Sequence, residues 1–442
     1  MPKYRHKKIL RLSVQAGEIM QRSGAETYRV EETITRVARA AGINDVETFA
    51  TTTGIFASVD PGEDVDDVFT LVKRVPFIER NMEKISEINS FSREFATTDL
   101  TIDEGLARLR EIDAIPKYPL WLRFIGSFLV GLCMSPSYGA HPYEMIFAGI
   151  IAGLAHLLSD LLDNLRFTDF IRVFTCCSGI TLLAVGLKLI IPQIAMSPII
   201  VGAFAIFMPG ITITNAARDL ISAETLSGVQ RLTEALLYAI AIAGGVGVVL
   251  KVWSLGGGTL LPRDAVADPV WLQTIYAFIY TFGFSLLFRI PKRHIITCAV
   301  FGAIAMLTCA LFTLQGYSLM TSVFFGTLVL SFLAEIGARV AKDATSIFLI
   351  PGIIPFVPGS LIYATMTALI GGNYEASAYQ ASQAGGVAGA IAIALVISAS
   401  IMRLIMTARR RFRWMQASKH SAKSRAKKAL RAMTKSRGWK KS

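Results

Sequence analysis

Polar side chains follow a Pro-Gly pair inside an apolar stretch, IFMPGITITNAARDL, at Ile206–Leu220. In a helix the proline removes a backbone donor and frees a carbonyl, and the glycine allows close approach of a ligand or another helix. The polar residues behind the break recur at helical spacing and therefore share a face. The helix that starts there presents an N-terminus that attracts a carboxylate. The candidate ligand-binding residues of this segment are Pro209, Gly210, Thr212, Asn215, Arg218 and Asp219.

A second segment, IPFVPGSLIYATMTALI at Ile354–Ile370, repeats this pattern 149 residues later. Its candidate ligand-binding residues are Pro358, Gly359, Ser360 and Tyr363. Two helices interrupted at matching places indicate a transport site between two halves of a membrane chain. Helix packing alone is the alternative explanation, because proline kinks and hydroxyl side chains are common in membrane helices.

Four ionisable residues in apolar stretches are candidates for coupling transport to an ion gradient: His156, Asp160, Glu234 and Glu335. The first two stand four residues apart, as Glu335 does from Arg339, so each pair shares a helix face. Each of the four also fits a position at the membrane interface. The same two alternatives, binding site or interface, stay open for Arg218-Asp219.

The composition is that of a membrane protein. The chain has 442 residues, of which 53% are hydrophobic and 17% are charged. Long apolar runs between Trp121 and Met406 match the roughly 20 residues needed to cross a bilayer. The predicted spans are 121–136, 143–162, 170–191, 198–220 and 232–253, then 270–290, 294–314, 319–339, 345–370 and 384–406.

A duplication relates the two sets of five spans. Pro-Leu-Trp-Leu at 119–122 recurs as Pro-Val-Trp-Leu at 269–272, an offset of 150 that is nearly the offset of the Pro-Gly pairs. An odd number of spans makes the second half enter from the opposite face, so we expect an inverted 5+5 repeat with broken helices 4 and 9. Lys and Arg concentrate in alternate loops, which predicts that both termini are cytoplasmic.

The first 117 residues read as a small cytoplasmic α+β domain. Helical periodicity on both sides of Ser23-Gly24 predicts two helices. Residues 45–60 predict two strands, PGED at 61–64 a turn, and 69–75 a third strand. Two amphipathic helices are expected near 81–95 and 101–112. The charges of Glu26, Arg29 and Glu31 are expected on the helix surface, with docking to the membrane part as the alternative.

Charge is distributed unevenly. Residues 1–117 carry a net charge of −3, residues 118–402 carry +1 and residues 403–442 carry +15. A basic segment that begins at the membrane edge favours anionic lipid as its partner over nucleic acid, which is not expected. The five cysteines fall in apolar spans without metal-ligand spacing, so no metal and no cofactor are expected. A homo-oligomer is compatible with the sequence.

Several motifs occur in the order found in the threonine/serine exporter family. RSGAETYRVEETI (22–34), TTTGIF (51–56), KRVPF (73–77) and NMEKISEIN (81–89) resemble its N-terminal domain. FMPGITITNAARDLISAETLSG (207–228) and FVPGSLIYATMTALIGG (356–372) resemble the Pro-Gly blocks of its two membrane modules. The resemblance covers about residues 5–405 and implies an exporter, and it leaves the substrate open. In some relatives the modules are separate proteins, associated with export of succinate.

We therefore expect a secondary exporter of small polar metabolites that is driven by an ion gradient, with protons favoured. Threonine and serine are the first candidates as substrate, and a dicarboxylate is the alternative. A membrane-associated hydrolase that uses the N-terminal domain is the alternative from another class, but no nucleophile motif supports it. The expected divisions are 1–117 (cytoplasmic domain), 118–253 (first repeat), 254–268 (linker), 269–406 (second repeat) and 407–442 (basic tail).

Overall fold

A computed structural model of the chain describes residues 2–60, 68–75, 79–221, 223–258 and 268–438. The first part contains four helices and three strands. Their bounds are α1 Pro2–Arg22, α2 Thr27–Ala40, β1 Val46–Ala50, β2 Gly54–Val59, β3 Phe69–Arg74, α3 Met82–Thr97 and α4 Ile102–Asp113. The helix break at Ser23-Gly24 is confirmed, and Gly24 adopts φ +95°, a left-handed conformation that glycine reaches without strain. The turn predicted at 61–64 lies outside the described residues.

The three strands form an antiparallel sheet of order β1-β2-β3. Alternation along β2 buries Ile55, Ala57 and Val59 and leaves Phe56 exposed. Helix α1 packs against α2, α3, α4 and the sheet, and Leu12 and Ile19 of this helix are fully buried. The apolar core of this part therefore surrounds α1.

Glu31 of α2 contacts the end of β1, because its Oε1 accepts a hydrogen bond from the Ala50 amide at 2.7 Å. Burial raises the pKa of Glu31 above its ordinary value, the Ala50 amide opposes this shift, and the nearby acids Glu224 and Asp219 add to it.

Glu31→Gln is expected to make the protein more stable than wild type at neutral pH. A raised carboxyl pKa means that the folded state binds the proton more tightly, so wild type loses stability as pH rises past the ordinary glutamate pKa. Below that pH the two proteins should converge, because the Gln oxygen can still accept from Ala50. Thermal unfolding in detergent between pH 4 and pH 8 measures this difference, and a wild type that gains on the variant with rising pH would contradict the prediction.

The remainder is helical. The helices of the first set are α5 Leu120–Met134, α6 Pro142–Asn164, α7 Asp169–Ile190, α8 Met196–Phe204, α9 Gly210–Ile221 and α10 Thr225–Leu255. Those of the second set are α11 Val270–Leu287, α12 Ile295–Leu314, α13 Leu319–Ala341, α14 Thr345–Ile353, α15 Gly359–Ile370 and α16 Tyr374–Gly438. Among the described residues, nine helical segments are long and apolar enough to cross a membrane, or ten if the bent pair α8–α9 counts as one span. The chain is a multi-pass membrane protein.

The two sets share a packing scheme. In the first, α5 packs on α6, and α8 packs on α5, α6 and α7. In the second, α11 packs on α12, and α14 packs on α11, α12 and α13. Helices α5 and α11 contact each other, where the Gly126 and Gly283 backbones approach closely.

Both predicted breaks are present and share one local geometry. In each, a nine-residue helix ends in a three-residue 3₁₀ turn, and a twelve-residue helix begins after the proline. The residue before each proline is extended, with φ −60° and ψ 132° at Met208 and φ −63° and ψ 132° at Val357. A proline forces this conformation on the preceding residue through steric conflict with its ring. The first pair of helices bends by 50° at its break.

Residues up to Leu395 form one compact unit, and Val396–Ser442 form a second. The first unit holds the sheet, α1 to α15 and the start of α16. Within it, α3 contacts the second helical set, because the Met82 amide donates to the Phe288 carbonyl and Arg289 pairs with Glu83 at 2.8 Å. Helix α16 continues through the second unit to Gly438. The side chains of the predicted basic tail beyond Ala408 lie outside the described part.

Candidate functional site

The polar residues after the first break contact the corner between α1 and α2. We name this contact the corner interface. It joins Gly24, Ala25, Glu26 and Thr27 to Asn215, Arg218, Asp219 and Arg231. Asn215 Nδ2 donates to the Gly24 carbonyl at 2.9 Å, and Arg231 Nη2 donates to the Ala25 carbonyl at 3.0 Å. Side chains of the membrane part thus supply partners for backbone groups that would otherwise be buried without them.

Asp219 caps α2 from a distant part of the chain. Its Oδ1 accepts from the Thr27 amide at 3.2 Å, and its Oδ2 accepts from the Thr27 hydroxyl at 3.3 Å and from Arg231 Nε at 2.9 Å. Glu26, at the N-cap position of α2, makes no side-chain cap. A carboxylate at this end satisfies an orphan amide and interacts favourably with the helix dipole. Both Asp219 and Arg231 are buried.

The prediction that Glu26 is a surface charge is wrong, because none of its surface is exposed. Its Oε1 lies 3.2 Å from Arg218 Nη1, so docking to the membrane part is the interpretation that holds for this residue. Arg218 also lies 3.9 Å from Glu335 of α13, and Glu335 pairs with Arg339 at 3.1 Å, as their spacing predicted. These charges link α2 with α9 of the first helical set and α13 of the second.

A cavity of about 800 Å³ lies beside the corner interface. Its wall includes Gly24, Arg80 and Asn81 from the N-terminal part and residues of α6, α7, α9 and α10. Three of the coupling candidates line it: His156, Asp160 and Glu234. Thr212 lines it as well, next to Ile206 and Phe207 at the first break. The described lining includes none of the other nine predicted ligand-binding residues and not Glu335.

Ion pairs occupy much of the cavity wall. Asp160 pairs with Arg123 at 2.5 Å and lies 3.9 Å from His156 Nε2. Arg172 pairs with Asp169 at 2.5 Å and with Asp163 at 3.0 Å. Such a wall suits a small charged or zwitterionic ligand. Among the described residues, no three His, Cys, Asp or Glu side chains are grouped so that they could hold a metal ion.

The two breaks lie against each other. A Cβ at Gly210 would overlap Ile354, just before the second break, and a Cβ at Gly359 would overlap Met208, just before the first. Pro209 and Pro358 directly precede the two helices that meet there, and each proline carbonyl accepts from an amide in the first turn, at 3.0 Å and 3.1 Å. The structure therefore brings together the two sites that the repeat singled out.

The hydroxyl residues of α15 contact the first helical set. Tyr363 lies 3.0 Å from the Ser197 hydroxyl at the start of α8, and its ring packs on Phe204. Ser360 is partly buried one turn earlier. These residues pack between the two sets and do not line the cavity.

Sequence reasoning missed most of the charged residues of the cavity wall, and with them the pair Arg80 and Tyr238. Arg80 donates from Nη2 to the Tyr238 hydroxyl at 2.5 Å, and Tyr238 donates to Asp169 at 2.7 Å. Tyr238 stands four residues after Glu234 in α10, so the pair shares a helix face, and this spacing was the signal available. Nothing in the sequence around Arg80 indicated that it reaches the membrane part.

Comparison with known proteins covers nearly the whole chain. The model of the threonine/serine exporter family matches residues 11–253, and a second model, described as "Threonine/Serine exporter, ThrE", matches residues 273–401. A Mycobacterium tuberculosis protein named "Probable threonine/serine exporter" is 22% identical over 369 residues, which are 81% of this chain and 69% of that protein.

Two further relatives are named "Probable succinate transporter subunit YjjP". The Klebsiella aerogenes protein is 23% identical and the Escherichia coli protein 24% identical, over 56% of this chain and 95% and 96% of their own lengths. No solved structure matches the chain. All of these names describe transporters and none describes an enzyme, so the hydrolase alternative is set aside. With one family model over more than half of the chain and a second over most of the rest, the chain belongs to the threonine/serine exporter family.

Proposed function

We propose that this membrane exporter moves L-threonine and L-serine and is driven by a proton gradient. The main support is the cavity of about 800 Å³, whose wall includes arginines, the carboxylate of Glu234 and residues of the first helix break. A zwitterionic amino acid needs one anion site and one cation site, and both charges are available there. Succinate is the second candidate substrate, favoured by the number of basic residues in the wall and by the names of two relatives.

We propose that the two helical sets form an inverted 5+5 repeat. The matching packing of α8 and α14 supports this, as do the matching geometries of the two breaks. In this architecture substrates bind where broken helices meet near the membrane midplane. The contact of Gly210 with Ile354 and of Gly359 with Met208 supports such a meeting point.

The predicted ligand-binding residues divide into two roles in this proposal. Thr212 borders the substrate path in the cavity, and the two Pro-Gly pairs form the contact between the broken helices. Asn215, Arg218 and Asp219, together with Glu335, hold the N-terminal part against its entrance, which is a gating role. Ser360 and Tyr363 seat the second broken helix on the first helical set.

Orientation and partners follow from charge. We propose that the face carrying the N-terminal part is cytoplasmic, because it also carries basic loop residues such as Arg218, Arg231, Arg289 and Arg293. Both termini are then cytoplasmic, and the basic segment 407–442 meets anionic lipid. The boundaries at 117, 253 and 268 serve as divisions of function in this scheme, and a homo-oligomer remains compatible with it.

Proton coupling is proposed to use Asp160 with His156, because both side chains line the cavity and Asp160 lies between His156 and Arg123. Purified protein in liposomes loaded with labelled threonine should release it faster when a pH gradient is applied. Asp160→Asn should lose this acceleration while threonine exchange without a gradient persists. The control is Glu375→Gln, which removes an exposed acid at the start of α16.

Parallel liposomes loaded with labelled succinate distinguish the two substrates. Release of succinate and not threonine would replace the first candidate by the second. If neither compound moved under either condition, the proposed function would be lost.

A further inference from the structure

Arg80 of the N-terminal part extends into the transport cavity. It lies just before α3, and its backbone adopts φ +52°, a left-handed conformation that is costly for a side chain with a Cβ. Its guanidinium packs over the Tyr238 ring, 5.5 Å from the ring centroid, and donates to the phenol oxygen. Strained backbone conformations of this kind cluster at functional sites.

The hydrogen bonds around Tyr238 leave Arg80 without a direct contact to any carboxylate that the structure describes, because the Tyr238 hydroxyl stands between its guanidinium and Asp169. The Tyr238 hydroxyl donates its hydrogen bond to Asp169, and its oxygen accepts a hydrogen bond from Arg80. Asp169 in turn is ion-paired with Arg172 at 2.5 Å. Among the described residues, no carboxylate oxygen lies within 4.0 Å of the Arg80 guanidinium nitrogens, although a guanidinium offers five donors. The remaining donors suit a planar carboxylate.

Glu234 supplies the opposite charge one helical turn away. It precedes Tyr238 by four residues on α10, which places the two Cβ atoms about 6 Å apart on one face. Its carboxylate lines the cavity and, in the part of the chain that the structure describes, has the Gln230 amide as its hydrogen-bond partner, at a long 3.5 Å. The next arginine along this helix, Arg231, is already paired with Asp219.

We propose that Arg80, oriented by Tyr238, binds the carboxylate of the exported amino acid and that Glu234 binds its ammonium group. This deepens the proposed function and rests on it. It makes the N-terminal part a component of the substrate site, and it selects zwitterions over dicarboxylates, because a second carboxylate would face Glu234. A purely structural role for Arg80, as an anchor between the N-terminal part and α10, is the competing explanation.

Two threonine analogues separate these explanations. 3-Hydroxybutyrate keeps the carboxylate and lacks the ammonium group, and threonine amide keeps the ammonium group and lacks the carboxylate. Each is tested as a competitor of labelled threonine release from liposomes that contain the full chain. The variants are Arg80→Gln and Glu234→Gln, and the matched control is Arg74→Gln, an exposed arginine of β3.

The expected result is a reciprocal pattern. Arg80→Gln should weaken inhibition by 3-hydroxybutyrate about tenfold or more and leave inhibition by threonine amide within about twofold, the scale of one charge-assisted hydrogen bond. Glu234→Gln should do the reverse. Both variants should also weaken inhibition by unlabelled threonine. Arg74→Gln should leave inhibition by all three compounds unchanged.

If Arg80 is only an anchor, Arg80→Gln should weaken inhibition by all three compounds equally, and this outcome overturns the proposal. So does an Arg80→Gln variant that behaves as Arg74→Gln does. If Arg80→Gln fails to fold, Glu234→Gln and Tyr238→Phe take its place. Removing the Tyr238 hydroxyl should weaken inhibition by 3-hydroxybutyrate and leave inhibition by threonine amide unchanged. Equal effects of Tyr238→Phe on both analogues refute the proposal. Wild type that releases neither threonine nor succinate would instead remove the proposed function.

Discussion

Arg231→Met is expected to destabilise the protein by about 3–5 kcal/mol, the loss typical of breaking a buried ion pair from one side. Arg231 and Asp219 are 4% and 0% exposed, and Nε of the arginine lies 2.9 Å from Oδ2 of the aspartate. Without the arginine, the carboxylate stays buried with Thr27 as its remaining partner, and the Ala25 carbonyl loses its donor. The loss should be visible in denaturant unfolding of the protein in detergent.

A double-variant cycle tests the cause. Arg231→Met combined with Asp219→Asn should recover part of the loss, because a neutral amide costs less to bury than an unpaired carboxylate and can still accept from Thr27. Arg108→Met is the matched control. Its partner Glu111 stands three residues away on the exposed face of α4, and such pairs contribute about 0–1 kcal/mol. A loss of stability in Arg231→Met no larger than that in Arg108→Met would contradict the prediction.

The corner interface should also loosen in these variants. The α1–α2 corner is held by side chains of α9 and α10, so limited proteolysis of the N-terminal part should speed up in Arg231→Met and stay at the wild-type rate in Arg108→Met. An unchanged rate would show that contacts of α3 with the second helical set are sufficient to hold this part in place.

Gly210→Ala is expected to cost about 1–3 kcal/mol and to abolish transport, the first being the usual penalty of overpacking a core. The new methyl group would overlap Cγ1 of Ile354, a fully buried β-branched side chain with few rotamers to adopt. The break would have to open, and the contact between the two broken helices would be lost. Thermal unfolding and threonine release from liposomes measure the two effects.

Gly359→Ala is the matched comparison at the second break. The added methyl group would meet the end of the Met208 side chain, which is flexible and can move aside. Its effects on stability and transport should therefore be clearly smaller than those of Gly210→Ala. Ile354→Ala added to Gly210→Ala should restore part of the stability and part of the transport activity, since it removes the overlapping atoms. Equal damage from the two glycine variants would count against this account of the break.

Much of the membrane part could be predicted because its signals are local. Apolar runs of span length predict the helices, and a proline fixes the residue before it in an extended conformation wherever it stands. Met208 and Val357 therefore share nearly the same dihedral angles, as the repeated Pro-Gly pairs indicated. Segments rich in Thr, Val, Phe and Ile likewise predicted the strands, with a central glycine between the first two.

What covers the polar face of α9 was decided by the tertiary structure. Helical spacing shows that Thr212, Asn215 and Asp219 share a face, but it carries no information about the partner of that face. Asn215 and Asp219 meet Gly24 and Thr27, residues more than 190 positions away along the chain. The physical reason is that the first amide of α2 requires a hydrogen-bond acceptor. The neighbouring Glu26 does not supply one, because it pairs with Arg218. The sequence alone determined where the helix breaks and which polar residues follow it, and only the packing of the N-terminal part against α9 decided that most of them hold an interface while Thr212 faces the cavity.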